Sequence, residues 1–123
     1  MDGSPGIGPH IKAFVRAFND RDFFGAHEIL EIPWREVDGP YRKDEGLRGL
    51  IFLAAAYVHR ERGNDRGVRD LLAKAERALG PRAPLVHGVD VTEAITLIGS
   101  RPWDASFPLI TLRAPTEGRE GGT

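Results

Sequence analysis

The chain has 123 residues, of which 41% are hydrophobic and 28% charged, with a formal net charge of −1 and no cysteine. This length and composition predict one ordinary globular domain with a single core. The missing cysteines exclude disulfides, thiolate metal sites and cysteine nucleophiles. The charge balance disfavours nucleic-acid binding, which needs a basic surface, although a local basic patch is compatible with it.

No segment of the sequence predicts export or membrane insertion. The first ten residues are rich in glycine and proline and lack the basic start and apolar core of a signal peptide. The longest apolar run, LIFLAAAYV at 50–58, has nine residues, whereas a membrane-spanning helix needs about 20. We therefore expect a cytoplasmic protein.

Hydrophobic spacing and helix-capping signals predict five helices in chain order. The first follows Pro9 and ends near Asn19, and the others cover about 21–37, 43–62, 65–79 and 91–100. Residues 81–89 are predicted to form a loop, and 107–112 an extended segment with a short strand as an alternative. We expect a flexible leader (1–9), a single helical domain (10–113) and a mobile tail (114–123). The predicted fold class is all-α, a compact bundle of about five helices with mostly antiparallel neighbours.

The second helix carries the stretch AHEILEIPW at 26–34, which combines ionisable and apolar side chains. At about 100° per residue, Glu31, Trp34 and Phe23 all lie within about 40° of His27. His27 and Glu31 are therefore predicted to lie within an aromatic row. A buried carboxylate is costly unless it is paired, so Glu31 needs a partner.

Residues of the third predicted helix are candidate partners for Glu31. Arg48 and Phe52 share the face of His59, and two alanines flank this row, so that another helix can approach closely. We expect this row to pack on helix two, where His27, Glu31 and His59 would converge. Arg48 is predicted to pair with Asp44, Glu45 or Glu31.

Three chemistries fit such a cluster, and the residues alone leave them open. Glu31 could orient a histidine that acts as a general base. His27, Glu31 and His59 could hold a divalent metal such as zinc or iron, with open coordination positions. The set could also be an internal hydrogen-bond network without a reaction. It is not the zinc-protease motif, which needs a second histidine at the position of Glu31.

Helix two also has a second apolar face, which contains Ile29 and Ile32. This face predicts a contact with another helix or with a second subunit, and we expect a homodimer. The remaining histidines, His10 and His87, are assigned to solvent.

Two ordered blocks of residues, which together span about residues 14–80, resemble a small helical family of bacteria and archaea, domain-of-unknown-function family 309. The matching residues are FN at 18–19, FF at 23–24, AHEILE at 26–31, WR at 34–35, GLI at 49–51, AAA at 54–56, His59, GN at 63–64, Gly67 and LL at 71–72. The resemblance implies an all-helical bundle without an established activity, substrate or cofactor. It places His27, Glu31, Trp34 and His59 in one signature. The sequence departs from the family at Arg48 and Phe52, where glutamines are usual, and Pro33 is unusual within the first block.

These observations predict a small binding or structural module with a cluster formed by His27, Glu31, Trp34, His59 and Arg48. The alternative is a metal-dependent, hydrolase-like enzyme that uses His27, Glu31 and His59. The sequence does not decide between enzyme and binding module, and it names no small-molecule ligand. Nucleic-acid and membrane partners are not expected.

Overall fold

The computed structural model describes residues 6–99 and the backbone of residues 111 and 112. This part contains five helices: α1 (Gly8–Asn19), α2 (Phe23–Arg35), α3 (Glu45–Glu61), α4 (Asp65–Leu79) and α5 (Thr92–Gly99). The predicted all-α bundle is confirmed, and the limits of helices two to five differ from the prediction by no more than two residues. Helix α1 includes Gly8 and Pro9, which the sequence had assigned to a leader. Residues 1–5, 107–110 and 114–123, on which predictions were also made, lie outside the described residues.

Short polar side chains define where three of the helices begin. Asp22, Asp44 and Asn64 each accept a hydrogen bond from the backbone N–H three residues later, at 3.0–3.1 Å. These side chains satisfy N–H groups that have no partner within the first helical turn. The residue that caps α4 is therefore Asn64, directly before the helix.

Helix α3 is the central element, because it packs on α2 along one side and on α4 along another. Its Tyr57 joins an aromatic cluster with Phe18 and Phe23, with ring centroids 5.3–6.0 Å from that of Tyr57. Burial raises the pKa of Tyr57 to about 12, although the nearby charge of Arg60 acts in the opposite direction. The aromatic cluster thus joins α1, α2 and α3 into one core.

A small antiparallel sheet occupies part of the predicted loop. Its strands β1 (Leu85–Val86), β2 (Val89–Asp90) and β3 (Thr111–Leu112) lie in the order β1-β2-β3. His87 and Gly88 connect β1 to β2 with φ values of 51° and 83°, and positive φ at both positions is typical of a tight hairpin turn. The loop prediction missed β1 and β2, because two-residue strands are too short to show alternation. Strand β3 falls within the segment at 107–112 for which a short strand was the alternative.

No helix in the described part of the chain is long and apolar enough to cross a membrane. The cytoplasmic location stays a prediction.

Candidate functional site

His27, Glu31 and Arg35 form a row of charges along the surface of α2. The His27 Nδ1–H donates to the Phe24 carbonyl at 2.6 Å, which directs Nε2 toward the Glu31 carboxylate, 3.9 Å away. Arg35 lies 3.5 Å from the other oxygen of Glu31. The side chains of His27 and Glu31 are 19% and 28% exposed, so Glu31 is paired at the edge of the core and not buried within it. Pairs of this kind, four residues apart on a helix, contribute only about 0.3–0.5 kcal/mol each.

His59 contacts the start of α4. Its ring nitrogen Nδ1 lies 3.0 Å from the side-chain amide nitrogen of Asn64, and the ring lies against Gly67, where an added Cβ would be 2.9 Å from Nδ1. Phe52 of the same row contacts Lys74 of α4, whose ammonium lies 5.8 Å from the ring centroid. The row predicted on α3 therefore exists, but it faces a different helix from the one predicted.

The metal centre predicted from His27, Glu31 and His59 is not formed. Among residues 6–99, no three His, Asp, Glu or Cys side chains are grouped so that they could hold a metal ion. The physical reason is that α3 is buried on most sides and has two neighbouring helices. Helical phasing fixes which residues share a face, but it does not decide which neighbour that face meets.

Trp34 and Pro33 lie in the last turn of α2. Trp34 is partly buried against the core, and its indole Nε1 is buried without a hydrogen-bond partner within the described part of the chain. Pro33 is buried, and it has no N–H to donate to the carbonyl of Ile29. Helix α2 continues for only two residues beyond it.

Arg48 pairs with Glu45, one of its three predicted partners, at 3.1 Å. Its guanidinium also lies 5.2 Å from the centroid of the Phe52 ring. Both side chains of the ion pair are about half exposed. Lys74 of α4 lies over the same ring, so Arg48 belongs to the α4 side of α3, as His59 does.

An additional pair, between His87 and Asp44, was not predicted. The His87 Nε2 lies 2.9 Å from Asp44 Oδ1, the same oxygen that caps α3, and the His87 ring packs edge-on against Tyr41. Burial favours a higher pKa for Asp44, but hydrogen bonds from His87 and from the Leu47 N–H outweigh it and hold the pKa below its usual range. In the sequence, the His-Gly pair between two valines could have indicated a tight turn. The direction of the His87 side chain follows only when the hairpin itself is known.

Replacing Asp44 by alanine is expected to lower the free energy of unfolding by about 2 kcal/mol. About half of this comes from the lost helix cap and half from the lost hydrogen bond to His87. Because the pKa of Asp44 is lowered on folding, its contribution is complete above the usual Asp pKa of about 3.9 and is lost as the pH falls through the lower folded value. The difference between wild type and variant should therefore shrink below about pH 4, as measured by urea unfolding between pH 3 and 7.

Asp22 provides the matched control, because it caps α2 in the same way, through Gly25. Replacing Asp22 by alanine should cost only the cap, about 1 kcal/mol. Equal costs for the two substitutions would show that His87 adds nothing to the stability of α3.

The fold and these contacts define a small helical domain in which His27 and Glu31 pair on α2, while His59 lies against the start of α4. Residues 11–71 match the family described as "Domain of unknown function (DUF309)", and this segment of the chain belongs to that family. The chain is also similar to the uncharacterized protein YpuF of Bacillus subtilis (strain 168), with 39% identity over 70 residues. That match covers 57% of this chain, which spans about two fifths of the relative's length. No solved structure matches the chain significantly. The predicted resemblance is confirmed, and the protein is a helical protein of unknown function.

Proposed function

We propose that the protein acts by binding rather than by catalysis, as a homodimer in which the outer face of α2 packs on the same face of a second copy. The exposure of two large apolar side chains carries this proposal. Phe24 is 50% exposed and Ile32 is 63% exposed, although both belong to a helix whose other face is fully packed. Exposed apolar residues grouped on one face are typical of interaction surfaces.

The charges on this face favour a second copy as the partner. Viewed along the axis of α2, Phe24 and Ile32 lie at the two edges of an arc of about 80°, and Glu28 and Arg35 lie between them. In an isologous interface, the same patch of both subunits is in contact, and the two patches run in opposite directions. With the two-fold axis beside Ile32, Glu28 of one subunit lies opposite Arg35 of the other, and Phe24 lies at the edge of the contact, just beyond the end of α2 in the second copy. His27, whose ring contacts that of Phe24 at 5.0 Å, and Glu31 border the contact.

The first test replaces Ile32 by glutamate and measures the mass by sedimentation equilibrium over a range of concentrations. A dimer is expected for the wild type, and the variant should dissociate at least about tenfold more readily, because a charge would be placed in an apolar contact. Leu85, which is 43% exposed on β1, supplies the matched control, and Leu85→Glu should leave the mass unchanged. A wild-type monomer at high concentration would contradict the proposal.

A charge exchange tests the orientation of the two helices. Glu28→Arg alone should weaken the dimer, because it places two arginines opposite each other across the interface. The double variant Glu28→Arg with Arg35→Glu should restore it. Failure of the second substitution to restore association would exclude the antiparallel arrangement.

A further inference from the structure

A cavity of about 270 Å³ lies between α3, the second half of α4 and the turn that follows α4. No residue of α2 lines it, so it is separate from the proposed dimer contact. Its walls carry four basic side chains and one carboxylate, that of Glu45. The basic cluster consists of Arg48, Lys74, Arg77 and Arg82.

This concentration of positive charge is local. The whole chain has 17 basic and 18 acidic residues, whereas the cavity has a formal charge of +3 from four cations and one anion. A second, larger cavity of about 620 Å³ between α1 and α2 has balanced charges, since Lys12 and Arg16 are matched there by Asp20 and Asp22. A concave surface lined by one sign of charge raises the local concentration of the opposite ion.

Contacts with the protein hold three of the cations around the cavity. Arg48 and Lys74 both lie over the ring of Phe52, at 5.2 and 5.8 Å from its centroid, an attractive arrangement for cations and an aromatic ring. Arg82 donates one N–H to the carbonyl of Ala78 at 2.9 Å. A guanidinium has five N–H donors, so this bond fixes the group and leaves the other donors of Arg82 for a ligand.

Helices α3 and α4 approach each other closely at Ala78, which is one of the residues that line the cavity. A Cβ added at Gly49 of α3 would lie 3.0 Å from the Cβ of Ala78 and 2.6 Å from a methyl carbon of Leu79. The absence of a side chain at Gly49 therefore lets the backbones approach at this point. The cavity is then lined by long side chains from both helices and by Arg82, which follows α4.

We propose that this cavity binds a small, multiply charged oxyanion, with diphosphate as the simplest example. Three of the four cations are arginines, whose planar forks match the paired oxygens of phosphate groups. The volume lies just below the range of about 300–1,000 Å³ that is usual for ligand pockets, which favours a small anion over a macromolecule. The formal charge of +3 suits a ligand with more than one negative charge.

The test is a calorimetric titration of the full chain with inorganic pyrophosphate in the presence of EDTA and at low salt. We expect one site per chain, with affinity that falls as salt is added. Arg77→Ala should weaken binding about tenfold or more, which corresponds to one lost charge-assisted interaction. Arg77→Lys, which keeps the charge but loses the fork, should bind with intermediate affinity. Inorganic phosphate should bind more weakly than pyrophosphate.

Arg69 gives the matched control, because it is an exposed arginine of the same helix outside the cavity. Arg69→Ala should change the affinity by less than about twofold, as expected for a screened surface charge. Equal losses in the Arg69 and Arg77 variants would overturn the proposal in favour of general attraction to a basic surface. It would also be overturned by the absence of pyrophosphate binding, or by binding of a single-stranded RNA that pyrophosphate does not displace. Circular dichroism of each variant confirms that the loss is not one of folding.

Discussion

Replacing Phe18 by alanine is expected to lower the free energy of unfolding by about 3–5 kcal/mol. Phe18 is only 1% exposed, and its ring contacts those of Phe14, Phe23 and Tyr57 at centroid distances of 5.7, 5.0 and 6.0 Å. The substitution removes a large apolar side chain and leaves a cavity where α1, α2 and α3 meet. Since small domains are stable by only about 5–15 kcal/mol in total, the variant should be partly unfolded under mild denaturing conditions. Urea unfolding followed by circular dichroism measures the effect.

Phe24 provides the control for this prediction, because the same substitution can be made there at a surface position. Phe24→Ala removes the same atoms from a side chain that is half exposed, and it should cost less than about 1 kcal/mol when measured at concentrations where the protein is monomeric. If the two substitutions cost the same, the aromatic cluster would not be the centre of the core.

Replacing Gly49 by leucine is also expected to have a large effect, lowering the free energy of unfolding by about 3 kcal/mol. Even the first added atom, Cβ, would lie 2.6 Å from Leu79 Cδ2 and 2.8 Å from Leu79 Cγ. Leu79 is fully buried, so it has no free space into which to move, and α3 and α4 must separate. Thermal and urea unfolding should both report the loss.

Gly99 is the control for this substitution, because nothing lies within 4 Å of a Cβ added there. It is the exposed last residue of α5, and its φ lies outside the positive range that favours glycine. Gly99→Leu should therefore leave the stability within about 0.5 kcal/mol of wild type. A similar loss at both glycines would show that the cost comes from the leucine side chain itself and not from the helix crossing.

The helices could be predicted from the sequence because the information that specifies them is local. Apolar residues recur at helical spacing in α1 and α4, and Asp22, Asp44 and Asn64 mark helix starts through hydrogen bonds that reach only three residues along the chain. The grouping of Arg48, Phe52 and His59 on one face of α3 was correct for the same reason. Properties of this kind depend on neighbours within one or two turns.

The assignment of contacts between helices could not be predicted in this way. The face of α3 that carries His59 meets α4 at Asn64 and Gly67, but an alanine-flanked row fits either neighbour. The pairing of His87 with Asp44 spans 43 residues and depends on a hairpin that is too short to show a pattern. The basic cavity combines Arg48 with side chains 26–34 residues later, each of which looks like an ordinary solvated charge on its own helix.

The position of α3 has a consequence for how the protein can be divided. Its apolar side chains are buried on nearly every side, by α2 along one flank and by α4 along the other. Cleavage in the turn at residues 62–64 would thus leave each fragment with half of a core exposed to water. Neither fragment would have enough buried surface to offset the entropy of ordering its chain. We therefore expect this segment to fold in a single cooperative step, and complementation by separately expressed halves would require the two fragments to fold on each other.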